Sequence, residues 1–102
     1  MKVRIIIYSS ILDKLKHKHD VSAEDVEEAF LNRQAGLAKE LRPQNQGAED
    51  RFWFISTTDK GRELKVVFFF DLEKNVPVII TAYEPNNDEV DLYEKIQRQK
   101  KK

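Results

Sequence analysis

Glu63-Leu64-Lys65-Val66-Val67-Phe68-Phe69-Phe70-Asp71 is the run on which the reading of this 102-residue chain turns. Successive side chains of an extended backbone point to opposite faces, so Leu64, Val66, Phe68 and Phe70 share one face and Val67 and Phe69 line the other. A strand that is apolar on both faces belongs inside a sheet. Thr58-Asp59-Lys60-Gly61 ahead of it reads as a hairpin turn, with a glycine available for positive φ, and leads back to a strand over Arg51 to Thr58. Leu72-Glu73-Lys74-Asn75 turns the chain again, into Val76 to Tyr83. Pro77 has no N–H for a ladder, which places the start of that strand at an edge or at its first ladder position. Three antiparallel strands therefore end in Tyr83-Glu84-Pro85, a rigid strand end suited to holding polar groups for recognition or catalysis.

Upstream, Lys2 to Tyr8 is rich in β-branched residues, with Ile5 and Ile7 on one face and Ile6 on the other, and predicts a first, interior strand. Ser9 or Ser10 is placed to cap a helix whose stripe is Ile11, Leu15 and His19. Ser22 caps a second helix, Asp25 three residues on completes an Asp variant of the capping box, and Val21 and Val26 stand at hydrophobic-staple positions. Val26, Ala29 and Phe30 form its buried stripe. Leu37 to Leu41 suits a weak strand, and Pro43-Gln44-Asn45-Gln46-Gly47 a loop. After Pro85, Asn87 or Asp88 caps a last helix with Val90, Tyr93 and Ile96 inward and Leu92 beside them. The expectation is one α+β domain over residues 1–97. It has an antiparallel sheet of four to five strands, two helices in the N-terminal half and one at the C-terminus, all on one face of the sheet. Residues 98–102 read as a basic, disordered tail.

Hydrophobic content of 40% with 10% aromatic residues fits a globular domain. With no cysteine in the chain, disulfides and thiolate zinc sites are excluded. The longest unbroken apolar run, Val66 to Phe70, is far too short to span a membrane, and Met1-Lys2-Val3-Arg4-Ile5 lacks the apolar core of a signal peptide. A soluble cytoplasmic protein is the expectation. The formal net charge is zero, which argues against nucleic-acid binding through a broad positive field. The charge is nevertheless uneven: up to residue 20, Lys2, Arg4, Lys14, Lys16 and Lys18 face only Asp13 and Asp20, and Arg98, Lys100, Lys101 and Lys102 crowd the C-terminus.

Lys18-His19, at the junction of the first two helices, is the first candidate for chemistry. A neighbouring ammonium favours the neutral, basic imidazole. The competing structural role is that His19 completes the apolar stripe of its helix, whereas His17 reads as an exposed helix residue. Arg62 has the fork for bidentate phosphate binding, although a turn-flanking arginine more commonly pairs with a neighbouring acid across the ladder. Tyr83 and Glu84 close the last strand. Trp53 and Tyr93 could stack bases on an open sheet face, although aromatic residues in strands and helices more often fill the core. Two histidines separated by one residue point to different helix faces, so no metal centre is expected. No Gly-rich phosphate loop or nucleophile elbow is present, and no cofactor is expected. Metal-independent phosphodiester cleavage needs a base, an acid and a cation, types that Lys18, His19, Arg62, Tyr83, Glu84 and Tyr93 supply.

Lys18-His19-Asp20-Val21-Ser22-Ala23-Glu24-Asp25-Val26-Glu27-Glu28-Ala29-Phe30 resembles the K-H-G-V-S-x-E-E-A-x-x-x-F segment of BrnT-type toxins, small ribonucleases of the RelE-like superfamily that pair with a DNA-binding antitoxin. The resemblance continues through Asp59-Lys60-Gly61-Arg62-Glu63-Leu64-Lys65-Val66-Val67-Phe68, like D-G-R-x-L-x-V-V-F, and reaches Tyr93-Glu94. It departs at Asp20, where that family has glycine, and at Ile80-Thr81-Ala82-Tyr83-Glu84, which stands in place of I-S-A-R-R and is similar to a sister group of small domains ending in I-T-x-Y-E-P. The resemblance implies a RelE-like fold and a toxin–antitoxin setting. It implies RNA as substrate and an antitoxin as partner, with catalytic roles for Lys18, His19 and Arg62 and, at the divergent strand end, Tyr83 and Glu84. A non-catalytic relative that uses the same cleft to bind a protein or nucleotide is the alternative.

Overall fold

The computed structural model describes residues 4–40 and 50–100. Helix α1 (Ser9–Lys14) runs into a π-helical turn (Leu15–His19) and is followed by α2 (Ala23–Leu31). Strands β1 (Ala38–Lys39), β2 (Arg51–Thr57), β3 (Glu63–Asp71) and β4 (Val76–Tyr83) precede α3 (Asn87–Lys100). The architecture is α+β, with a four-stranded antiparallel sheet in the order β1-β2-β3-β4. The doubly apolar β3 is interior, as its sequence demands, with Leu64, Val66, Val67 and Phe68 all buried.

Both faces of that sheet are covered, where one covered face was expected. Phe52, Phe54 and Ser56 pair with Phe68, Val66 and Leu64 on the face under α2, where Phe30 meets Phe54 edge-on at 4.8 Å and Phe68 at 5.5 Å. Trp53 and Lys65 lie on the opposite face under α3, where Trp53 meets Tyr93 at 5.5 Å. The cause is the composition of β3, whose second apolar face also has to leave water.

Four local expectations change. Of the N-terminal segment, Ile6 alone bridges to β4, in parallel: it donates to Pro77 O and accepts from Ile79 N–H, each at 2.9 Å. The segment is thus a one-residue addition to the sheet rim and not an interior strand; residues 1–3 lie outside the described residues. Tyr8 occupies the N-cap of α1 without a side-chain bond, so neither Ser9 nor Ser10 caps it. The cap of α3 is Asn86, whose Oδ1 accepts from Glu89 N–H (2.8 Å) while Glu89 Oε1 accepts from Asn86 N–H (3.0 Å). Finally, α3 continues through Lys100, so residues 98–100 extend the helix. The predicted loop over Pro43 to Gly47 falls outside the described residues.

The capping box of α2 forms as read: Asp25 N–H donates to Ser22 Oγ (3.1 Å) and Ser22 N–H to Asp25 Oδ2 (3.0 Å), with Val21 and Val26 both buried. The β2–β3 turn takes positive φ at Gly61. In the β3–β4 turn Asp71 Oδ1 accepts from Glu73 and Lys74 N–H groups, and Asn75 tolerates φ 57.

Candidate functional site

The chain leaves α1 through the π turn, closed by Asp20 N–H on Leu15 O and by Val21 N–H on the same oxygen at 3.0 Å. To re-aim toward α2, Asp20 takes φ 54 and ψ 47, the left-handed conformation in which helix ends favour glycine. Its carbonyl, and that of His19, then point at the β2–β3 turn. Arg62 answers them. Its backbone is fixed by N–H to Thr58 Oγ1 (3.2 Å) and by Thr58 N–H to its carbonyl (2.8 Å). Its guanidinium donates from Nη1 to Asp20 O (2.5 Å), from Nη2 to His19 O (2.9 Å) and from Nε to Glu84 Oε1 (2.9 Å), with Asp25 Oδ2 4.0 Å from Nη1.

His19 is half-buried, its ring tilted by 41° against Tyr83 at 5.6 Å. Burial, then the charges of Lys18 and Lys14, lower its pKa below the ordinary 6.5, so the neutral imidazole prevails at neutral pH. The Tyr83 hydroxyl donates to Glu89 Oε2 (2.7 Å), and Lys65 Nζ donates to that same oxygen (2.8 Å). Lys65 is only 3% exposed and its ammonium lies 4.4 Å from the centre of the Trp53 ring. Burial by itself raises the Glu89 carboxyl. Hydrogen bonds from Lys65, Tyr83 and the Asn86 N–H, with the Lys65 charge, outweigh this and hold it below its usual value.

His19, Arg62, Tyr83 and Glu84 thus meet at one corner, with Lys18 exposed on the same π turn and making no ion pair among the described residues. Trp53 and Tyr93 do not join them. They are 3% and 7% exposed, and Trp53 is covered by Tyr93 and Lys65, so neither offers a face to a base. The Tyr93 hydroxyl donates to Gly36 O at 2.6 Å. Burial raises its pKa, against the opposing effects of Arg33 and of a backbone hydrogen bond from Ile55. Sequence reasoning missed Lys65 and Glu89. A lysine inside an apolar strand and a glutamate three residues after Asn86 were the available signals.

Among the described residues no cluster of three His, Asp or Glu side chains is arranged to hold a metal, and no helix is long and apolar enough to cross a membrane. A groove of about 520 Å³ lies away from this corner, between the end of α2 and β2, lined in part by Asn32, Arg33, Ser56 and Thr57. No protein-family model matches the chain, and no curated protein matches it.

Two predictions arise from this geometry. Asp20→Gly removes a left-handed non-glycine residue and keeps the carbonyl that Arg62 binds, so it should raise stability by about 0.5–1 kcal/mol, whereas Asp20→Val should lower it. Thermal melts of the two variants that move in the same direction would contradict the assignment. The second concerns acid. A folded-state pKa below that of the unfolded chain means that unfolded His19 takes up a proton first as pH falls past 6.5. The stability associated with neutral His19 is present above that pH and is lost as pH drops from there through the lower folded-state value. Denaturant titrations of His19→Gln should therefore show a shallower decline below pH 6.5 than the parent chain; parallel declines would refute the burial of this ring.

Proposed function

We propose that this chain is a toxin-like, metal-independent endoribonuclease of a type II toxin–antitoxin system, acting in the cytoplasm and held in check by a partner protein. The observation that carries the reading is His19, a partly accessible imidazole kept neutral and seated against Tyr83 beside Lys18, which makes no ion pair among the described residues. A second observation supports the resemblance to BrnT-type toxins: Asp20 adopts the left-handed conformation at the position where those sequences carry glycine. In the proposed reaction His19 takes the proton of a ribose 2′-hydroxyl, the O2′ attacks phosphorus, and the P–O5′ bond breaks. The leaving O5′ takes a proton from water or from Lys18, giving a 2′,3′-cyclic phosphate. The Lys18 ammonium faces the developing charge.

Arg62 has a different role from the phosphate clamp expected of its fork. Its guanidinium donates to two backbone carbonyls and to Glu84, so it positions the base and closes the turn. That commitment, together with the engaged Tyr83 hydroxyl, favours a second reading in which the corner binds a partner without cleaving it. Incubation with RNA in EDTA separates the two. The first reading expects cleavage that falls about 10²- to 10⁴-fold in His19→Ala. Undiminished cleavage by that variant would remove His19 from the mechanism, and RNA binding without cleavage by the parent chain would establish the second reading.

A further inference from the structure

Lys14 and Lys18 are four residues apart across the π turn, where the widened winding stacks them on one face beside His19. Both are exposed, and the charges of both are felt at the His19 ring. The two cations inside this corner are answered, Arg62 by Glu84 and Asp25 and Lys65 by Glu89. Neither Lys14 nor Lys18 makes an ion pair among the described residues, and the acids nearest them in sequence, Asp13 and Asp20, pair with neither. Two exposed ammonium groups without an ion-pair partner among the described residues thus stand next to the group proposed to handle a phosphodiester.

We infer that Lys14 forms, with Lys18, a second backbone-phosphate subsite that holds the nucleotide flanking the bond at His19 in a single-stranded polynucleotide. The inference rests on the proposed site of action but not on cleavage itself. Two adjacent ammonium groups on one helix face match successive phosphates of a flexible single strand, and the compact, hydrated lysine head suits point-charge binding without base readout. Lys16 lies on the opposite side of the turn, lining a separate groove of about 380 Å³ with Leu12 and Val21, and is not part of the subsite.

The probe is a short fluorescein-labelled 2′-O-methyl oligonucleotide, which has no free 2′-hydroxyl and cannot be cleaved. Anisotropy titrations between about 50 and 200 mM salt should show the slope of log K against log salt fall in magnitude by about 0.7 in Lys14→Gln, as for one lost single-strand phosphate contact. Affinity should drop about fivefold. Lys16→Gln should leave the slope unchanged. With cleavable RNA at pH 8, where His19 is neutral with or without the Lys14 charge, Lys14→Gln should raise KM with kcat unchanged. An unaltered slope in Lys14→Gln, an equal change in Lys16→Gln, or no binding of the oligonucleotide by the parent chain would each overturn the subsite. If the parent chain fails to cleave but Lys14→Gln still reduces the slope, the subsite stands and the ribonuclease reading falls. If cleavage depends on His19 while slope and KM are unchanged in Lys14→Gln, the ribonuclease reading stands and the subsite falls.

Discussion

Lys65→Met should destabilise the fold by about 3–5 kcal/mol, the largest loss expected from a single side chain here. The methylene stem of Lys65 is replaced by one of similar length, so packing against Trp53 is largely kept. What disappears is the partner of Glu89, whose side chain is only 19% exposed and whose Oε2 is shared with the Tyr83 hydroxyl. An uncompensated charge under α3 would then have to be hydrated or protonated. Because Glu89 also closes the capping box with Asn86, its displacement would loosen the first turn of α3. The double variant Lys65→Met/Glu89→Gln should recover part of the loss, since a neutral amide can still accept from the Asn86 N–H through its oxygen and donate to the Tyr83 hydroxyl oxygen through its nitrogen. Urea titrations give all three values. A single-variant loss under about 1 kcal/mol, the range of an exposed pair, would mean that water reaches this oxygen freely.

Arg62→Ala ranks next, at about 2–4 kcal/mol from charge-assisted bonds to backbone acceptors. The bond to Glu84 contributes little, because that carboxylate is 65% exposed. The carbonyls of His19 and Asp20 matter more: they end the π turn and have no partner in the helix, and Arg62 ties them to the β2–β3 turn 42 and 43 residues away. Arg62→Lys can reach one of these acceptors and should restore less than half of the loss. The His19 ring resonances should shift in Arg62→Ala at neutral pH, because the turn that carries the ring is released. Unchanged His19 resonances with lost RNA cleavage would instead return Arg62 to direct phosphate contact.

The fold was legible wherever one strand or helix carried its own signal. The two apolar faces of β3, the Ser22–Asp25 box and the spans of β3 and β4 are local chemistry, and they appear as read. Those same two faces of β3 also implied a helix on each side, an inference its residues permitted. The N-terminal segment misled because β-branched composition reports a willingness to be extended and says nothing about how long a partner ladder runs. Ile5-Ile6-Ile7 meets β4 over a single residue. At the candidate site the residue types were visible, but their commitments were not. Nothing in the spacing tells that Arg62 turns toward two carbonyls, and the apolar strand around Lys65 hints at its burial without naming Glu89 under α3 as its partner.

The bridge at Ile6 has a consequence for self-association. β4 is the outer strand of the sheet, and Val76-Pro77-Val78-Ile79-Ile80 is the kind of apolar, uncharged segment that recruits a matching strand from another molecule. Ile6 occupies the outward carbonyl of Pro77 and the outward N–H of Ile79, the middle of that segment. Pro77 has no N–H of its own to offer. A stretch too short to count as a strand thus acts as a guard at a rim where this sheet would otherwise grow by copying itself.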